Sequence, residues 1–308
     1  RRLTLEPERY TGVSSYEEAL ARFESDPRIR ILFENGAGNP AVPGAPVPSF
    51  EATFDQWPIP TTQATRWYFG PEATLTSAAP VEEGADSYEY DTSRSQQTTV
   101  VGPDNEVWKA MPAWNWQPLE AGKAVAYATE PLSQTLVMAG SGSVDLWFAS
   151  TAPDVDVQVT LTEIRPDGNE VLVQSGWLRA SQRKPNEALS TPLRPQHTHF
   201  EADVEPLPQG ELVPMRVELF PFAHVFRAGS RLRIAVDTPG GTRPRWKFRV
   251  TEYEEQVINT VARSAAMPSK VVLPVIPGLT PPEAYPPCPG LRGQPCRPYQ
   301  EWSNTAAP

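Results

Sequence analysis

Apolar and polar residues alternate with a period of two through much of this chain. The clearest case is the run 231–236, where Leu232, Ile234 and Val236 alternate with Arg231, Arg233 and Ala235. Such alternation marks a strand with one buried face and one wet face. A second strand-like run, 215–220, precedes it across a short apolar link and a turn at Ala228-Gly229-Ser230. From about Thr61 onward the same texture predicts strands at 64–69, 125–128, 134–138, 143–150, 156–164, 171–179, 198–205, 211–220, 231–237, 246–252 and 270–275. Turn residues separate them: Ala139-Gly140-Ser141-Gly142, Pro166-Asp167-Gly168, Gln209-Gly210 and Gly240-Gly241. The Pro-Asp-Gly turn predicts a hairpin. Many short strands and few helices predict a mainly β fold, an antiparallel sandwich of jelly-roll type.

The helical period is best developed in residues 16–24, YEEALARFE. Ala19, Leu20 and Phe23 make one apolar face, Ser14 or Ser15 can cap it, and Asp26-Pro27 stops it. A short strand at 29–33 and a Gly/Pro-rich loop at 34–48 follow. A helix leading into one apolar strand is half of an α/β unit, which alone cannot bury both its faces. Residues 1–60 are therefore expected to be the trailing end of a domain whose larger part lies elsewhere. Residues 61–276 are expected to form the sandwich. Residues 277–308, rich in proline and without periodicity, are expected to be an extended tail pinned by Tyr299 and Trp302.

Composition narrows the function classes. A chain of 308 residues with 39% hydrophobic and 21% charged content is globular. A formal charge of −10 disfavours nucleic acid, whose phosphates need a basic face, and anionic membranes alike. Thirty-six prolines imply many loops and edges. No stretch approaches the roughly 20 apolar residues of a membrane span. RRLTLEPERY carries no signal-peptide pattern and is not a natural start, so the chain is expected to be processed or partial. The two cysteines, Cys288 and Cys296, are spaced C-x7-C within the last 21 residues. With no histidine or second cysteine pair nearby, a small disulfide loop fits better than a metal site, and two free thiols are the alternative. One such loop suits an oxidising compartment.

Several ordered motifs carry a family likeness. They are Tyr127-Ala128-Thr129-Glu130-Pro131-Leu132, Ser150-Thr151-Ala152-Pro153-Asp154, Arg165-Pro166-Asp167-Gly168, the run PFAHVFRAGSRLRIAVDT at 221–238, and Pro268-Ser269-Lys270-Val271-Val272-Leu273-Pro274. Together they resemble the C-terminal β domain of the cocaine esterase / X-prolyl dipeptidyl-peptidase / α-amino-acid ester hydrolase group (CocE/NonD type). The likeness covers roughly residues 25–278. It implies a galactose-binding-like jelly roll packed on an α/β-hydrolase domain, with 27–33 as the last hydrolase strand and Phe54-Asp55-Gln56-Trp57-Pro58 leading into the β domain. It also implies a bacterial, secreted or otherwise extracytoplasmic enzyme. Such an enzyme cleaves small acyl esters or amides with a Ser-His-Asp triad and needs no cofactor.

The nucleophile is missing. A triad serine needs a tight strand-to-helix turn, and no G-x-S-x-G occurs. Gly12-Val13-Ser14-Ser15-Tyr16 lacks the last glycine and precedes a helix. No catalytic residue is expected in this chain, and its partner is expected to be an upstream catalytic segment. A homo-oligomer stays open, as does a stand-alone carbohydrate- or ligand-binding jelly roll. Trp108, Trp114 and Trp116, in a proline-flanked loop, would either pack an interface or form a substrate-pocket wall. His197 and His199 share one side of a supposed strand, and Glu201 continues that side, but an exposed polar edge explains them better than a metal. Asp154, Asp156 and Asp167 are better explained by strand entry and turn than by calcium. His224, between apolar neighbours, is expected to be a hydrogen-bonded structural histidine, not a general base.

Overall fold

A computed structural model of the chain describes residues 8–42, 45–93, 116–240, 249–290 and 295–304. Two antiparallel sheets share one core. The second sheet is the simpler. It is built from β6 (Ala124–Ala128), β8 (Asp156–Ile164), β9 (Asn169–Arg179), β11 (Arg231–Asp237) and β14 (Cys296–Pro298), in the order β14-β9-β8-β11-β6. The first sheet holds β3 (Gln63–Phe69), β4 (Leu75–Thr76), β5 (Ala85–Glu89), β7 (Leu136–Ser150), β12 (Ile258–Ala262) and β13 (Lys270–Val275), in the order β4-β3-β13-β7-β12-β5. The long strand β10 (Val213–Phe226) pairs with β7 off that path. The period-two residues meet between the sheets: Val157, Val159 and Leu161 of β8, Leu232, Ile234 and Val236 of β11, Leu146 and Phe148 of β7, Met215, Val217 and Leu219 of β10. Phe69 stacks on Tyr127 across the gap at 4.1 Å. Each such buried side chain contributes about 1.5–3 kcal/mol, so this interior dominates the stability.

The expected turn at 139–142 is a correction. β7 runs unbroken from Leu136 to Ser150, merging two predicted strands, and the glycines crease it instead of turning it. Gly140 takes φ +133° against Pro274, and a side chain at Gly142 would crowd Leu219 and Leu273. Opposite the crease β10 bulges between Leu219 and Phe222, and β13 shifts register between Val272 and Val275. Pro221 and Pro274 fall at these breaks, where a missing N–H costs least. The apolar link at 221–226 is therefore strand, continuing β10 past the bulge.

Two further strands are not found. Residues 198–205 form no strand, only a 3₁₀ turn at Glu201–Asp203, and a single bridge just before them joins Pro185 to His197. His199 has φ +52°, which a continuous strand does not allow. That segment is held by the Thr198 N–H donating to the Lys184 carbonyl, the Glu205 N–H to the Ser181 carbonyl, and a Lys184–Asp203 ion pair. Of the run 246–252, residues 246–248 lie outside the described residues and 249–252 form no strand. The Pro-Asp-Gly hairpin is present between β8 and β9, with Gly168 at φ +83°.

At the N-terminus, α1 (Tyr16–Glu24) starts at Ser15, whose side chain accepts from the Glu18 N–H. The strand β1 (Ile29–Phe33) pairs antiparallel with β2 (Phe50–Phe54), not parallel to another strand. Phe33, Ala52 and Ile59 pack on Val137, Ala139, Val225 and Ile276 in a second, smaller core. Helix α1 buries nothing: Tyr16 is 73% and Phe23 61% exposed.

β9 passes β10 at unusually close range. A Cβ on Gly176 would lie 1.7 Å from the Glu218 carbonyl oxygen, so backbone would have to move. Gly176→Ala is expected to cost about 3 kcal/mol, as overpacking against backbone does. Urea denaturation of the variant checks this, and a loss below about 1 kcal/mol would contradict the close approach.

Candidate functional site

Among the described residues, three buried ionic clusters and a cleft are places where chemistry could reside. The first centres on Glu163 of β8, fully buried where β8 meets the end of β10 and the turn into β11. Its carboxylate accepts from Ser230 Oγ at 2.7 Å, His224 Nε2 at 3.0 Å and Arg165 Nε at 3.3 Å. Burial alone would raise this carboxyl. The His224 contact, the Arg165 charge and the Ser230 hydroxyl outweigh it and hold the group below its ordinary range.

Serine, histidine and an acid are the residue types of a hydrolase triad, but their order here is wrong. In a triad the imidazole lies between serine and acid, so that it can take the hydroxyl proton. Here the carboxylate lies between Ser230 and His224. The other neighbour of Ser230 Oγ is the Tyr285 hydroxyl, at 3.0 Å. This is a solvent-excluded structural knot, and His224 is the hydrogen-bonded structural histidine that its apolar neighbours suggested.

The second cluster joins the N-terminal hairpin to the sandwich. Arg227, just past β10, grips Glu34, just past β1, through two contacts of 2.6 and 3.1 Å, both side chains being buried. Arg227 also donates to the Pro282 carbonyl and lies over the Tyr285 ring beside Arg165.

The third cluster surrounds Glu170 of β9. Thr162 donates to it at 2.8 Å, Arg233 of β11 at 3.1 Å and Arg297 of β14 at 2.8 Å. Trp116 is buried, with the Arg297 guanidinium 3.6 Å above its ring, and Arg297 also donates to the Gln117 carbonyl. Trp116 therefore packs within the fold. Trp108 and Trp114 lie outside the described residues. Cys288 and Cys296 are joined, with Cα atoms 5.5 Å apart, so β14 begins at a disulfide.

The cleft, about 240 Å³, is walled by Asp156, Trp177, Leu178, Arg179, His199 and Val250 among others. Arg179 holds Asp156 through two contacts of 2.9 and 3.0 Å. Among the described residues that line it there is no serine, threonine or cysteine. The remaining candidates are dispersed. Asp154 accepts from the Ser181 N–H and hydroxyl, and Asp167 from the Asn169 N–H. The His197 and His199 rings stand 5.7 Å apart, and among the described residues no three His, Cys, Asp or Glu gather as metal ligands.

Residues 21–272 match the model of the X-Pro dipeptidyl-peptidase C-terminal non-catalytic domain. The chain belongs to that family. The domain is the non-catalytic C-terminal one of CocE/NonD-type hydrolases, in keeping with clusters that are structural. Cocaine esterase of Rhodococcus sp. is 26% identical over 246 residues, covering 71% of this chain and 39% of that protein. A Mycobacterium tuberculosis protein assigned provisionally as a serine esterase is 29% identical over 191 residues, 59% of this chain and 29% of its own length. The chain thus spans about a third of the curated relatives it matches. A CocE/NonD family hydrolase from Staphylococcus aureus shares the fold with a TM-score of 0.55 at 21% identity, over 74% of this chain and 39% of its own.

His197 generates a pH prediction. Burial first, then the neighbouring His199, pushes its imidazole from an ordinary 6.5 down to about 4, while Arg216 also faces it. Between these values the unfolded chain binds a proton that the folded chain refuses, so stability is lost as pH falls through that window. After solvent screening the loss is roughly 1–2 kcal/mol. Denaturant titrations at pH 7 and pH 4.5 should show His197→Gln losing less than the parent. An identical drop in both would contradict the assignment.

Proposed function

We propose that this domain is the C-terminal part of a secreted serine hydrolase that cleaves ester or amide bonds of small acyl or peptidyl substrates. Its Ser-His-Asp triad is supplied by an upstream α/β-hydrolase segment. Residues 1–60 are the trailing end of that catalytic domain, 61–276 the jelly-roll sandwich, and 277–308 a tail that belongs to the sandwich. The sandwich buttresses the catalytic domain, and the segment bearing Trp108, Trp114 and Trp116 borders the substrate pocket, anchored at Trp116.

One observation carries this reading beyond family membership. Among the described residues nothing covers the apolar face of α1, with Tyr16, Leu20 and Phe23 exposed, while the hairpin attached to it is firmly docked. An amphipathic helix normally gains its stability from the surface its apolar stripe meets. The missing surface fits a catalytic domain continuous with the helix. The disulfide supports an oxidising compartment. The similarity to cocaine esterase and to a mycobacterial esterase supports the reaction class.

The test is covalent labelling. The 308-residue chain should give no adduct with a fluorophosphonate serine probe. A chain extended upstream through the whole hydrolase should label at one serine and cleave a chromogenic acyl ester. Labelling of the 308-residue chain itself would contradict the proposal.

A further inference from the structure

The turn that leaves β1 joins a reactive dipeptide to a buried anchor. The Ala37 N–H donates to the Glu34 carbonyl at 3.1 Å, which places Asn35 and Gly36 at the two central positions of the turn. Gly36 takes φ +103°, open to glycine without strain. Asn35 is the only asparagine of the chain that a glycine follows, and among the described residues it is the only exposed one. With no Cβ on the next residue, the backbone nitrogen of Gly36 has a clear approach to the Asn35 amide carbon. Other asparagines are placed less favourably. Asn39 precedes Pro40, whose nitrogen carries no hydrogen to lose. Asn259 is fully buried in β12, and the amide of Asn304 accepts from the Ala126 N–H and donates to Asp86. The fold restrains the nucleophile at one point. The Gly36 N–H donates to the Val47 carbonyl at 3.0 Å, and the Gly38 N–H shares that acceptor at 2.9 Å. Val47 is itself 40% exposed, so a local opening frees Gly36 without disturbing either core. Glu34, at the head of the turn, is the carboxylate that grips Arg227 and accepts from Ser49 Oγ.

We propose that Asn35–Gly36 is a self-modification site, and that its conversion to aspartate and isoaspartate loosens the turn that presents Glu34 to Arg227. The Gly36 backbone nitrogen gives its proton to water or hydroxide and attacks Asn35 Cγ. The N–Cγ bond forms, the Cγ–Nδ2 bond breaks, and the side-chain nitrogen leaves as ammonia with a proton from solvent. Water then opens the cyclic imide at either of its carbonyls, giving aspartate or isoaspartate. The net change is water consumed and ammonia released, with no oxidant or cofactor. Isoaspartate routes the main chain through Cβ and so adds a backbone atom between Glu34 and Gly36. The longer turn cannot keep both the Ala37–Glu34 and the Gly36–Val47 bonds. Either product also sets a new carboxylate beside Glu34. The smaller core still holds β1 and β2, so the change is confined to the turn and its ionic contact.

The 308-residue chain is aged in neutral and in mildly alkaline buffer and digested at intervals. Mass spectrometry with fragmentation follows the amide-to-acid conversion at each asparagine. Asn35 should convert at least about tenfold faster than Asn39, Asn169 or Asn186, and faster in the alkaline buffer, where more of the amide nitrogen is deprotonated. Conversion at Asn35 no faster than at those three, or a rate indifferent to alkali, would overturn the site. Hydrogen exchange then compares the fresh parent, the aged parent and an Asn35→Gln chain aged alongside it. The Gly38 amide should exchange at least about fivefold faster in the aged parent alone, with Ile234 of the core protected in all three. A converted parent whose Gly38 exchange is unchanged, an Asn35→Gln chain that loosens equally, or loss of Ile234 protection would each refute the loosening of the turn.

Discussion

The structure depends on one crease. At Gly140–Gly142 of β7, Leu219–Phe222 of β10 and Val272–Val275 of β13, three paired strands break register at one level. Beyond it the β7–β10 ribbon is buried on both faces. Met138 and Phe226 join the main core between the sheets, while Val137, Ala139 and Val225 point the other way and hold the hairpin. A strand apolar on both faces needs cover on both, and the β1–β2 hairpin supplies the second cover. The N-terminal segment is therefore fastened to the sandwich by the same strands that organise the sandwich.

Charge closes what apolar contact leaves open. Glu34–Arg227 fixes the hairpin to the end of β10, Tyr285 lies under both Arg227 and Arg165, and Arg165 meets Glu163. The hairpin, the second sheet and the tail thus converge at one buried ionic junction. Such pairs add little net stability over apolar packing, but losing one member strands a buried charge and costs about 3–5 kcal/mol. They specify one arrangement of the three parts. That explains a serine, a histidine and a glutamate in contact without catalysis: the geometry satisfies a carboxylate and does not activate a hydroxyl.

Much of this was legible in the sequence, and the exceptions have causes. Strands with strict alternation, such as β8 and β11, were read directly, as was α1 with its serine cap. The link at 221–226 was apolar without alternation, because its end is buried on both faces, so its strand character was hidden. Gly140 and Gly142 read as a turn because glycine signals conformational freedom and not its use. β5 and β12 carry polar residues such as Ser87 and Asn259 and gave no pattern; β2 is short and follows a loop. The histidine pair was placed on a strand that positive φ at His199 forbids. The ionic clusters were invisible because their members come from segments far apart in sequence: Glu34 meets Arg227, and Glu170 meets Arg297. The family likeness pointed to a nucleophile supplied from elsewhere.

The central claim is that the hairpin is already docked on the sandwich while the helix before it waits for another surface. Amide hydrogen exchange on the isolated chain measures both at once. The account expects Leu32 and Phe33 of β1 to be protected like Val225 of β10, and the amides of α1 to exchange within seconds. Rapid exchange of β1 together with α1, or strong protection of α1 in the isolated chain, would contradict it.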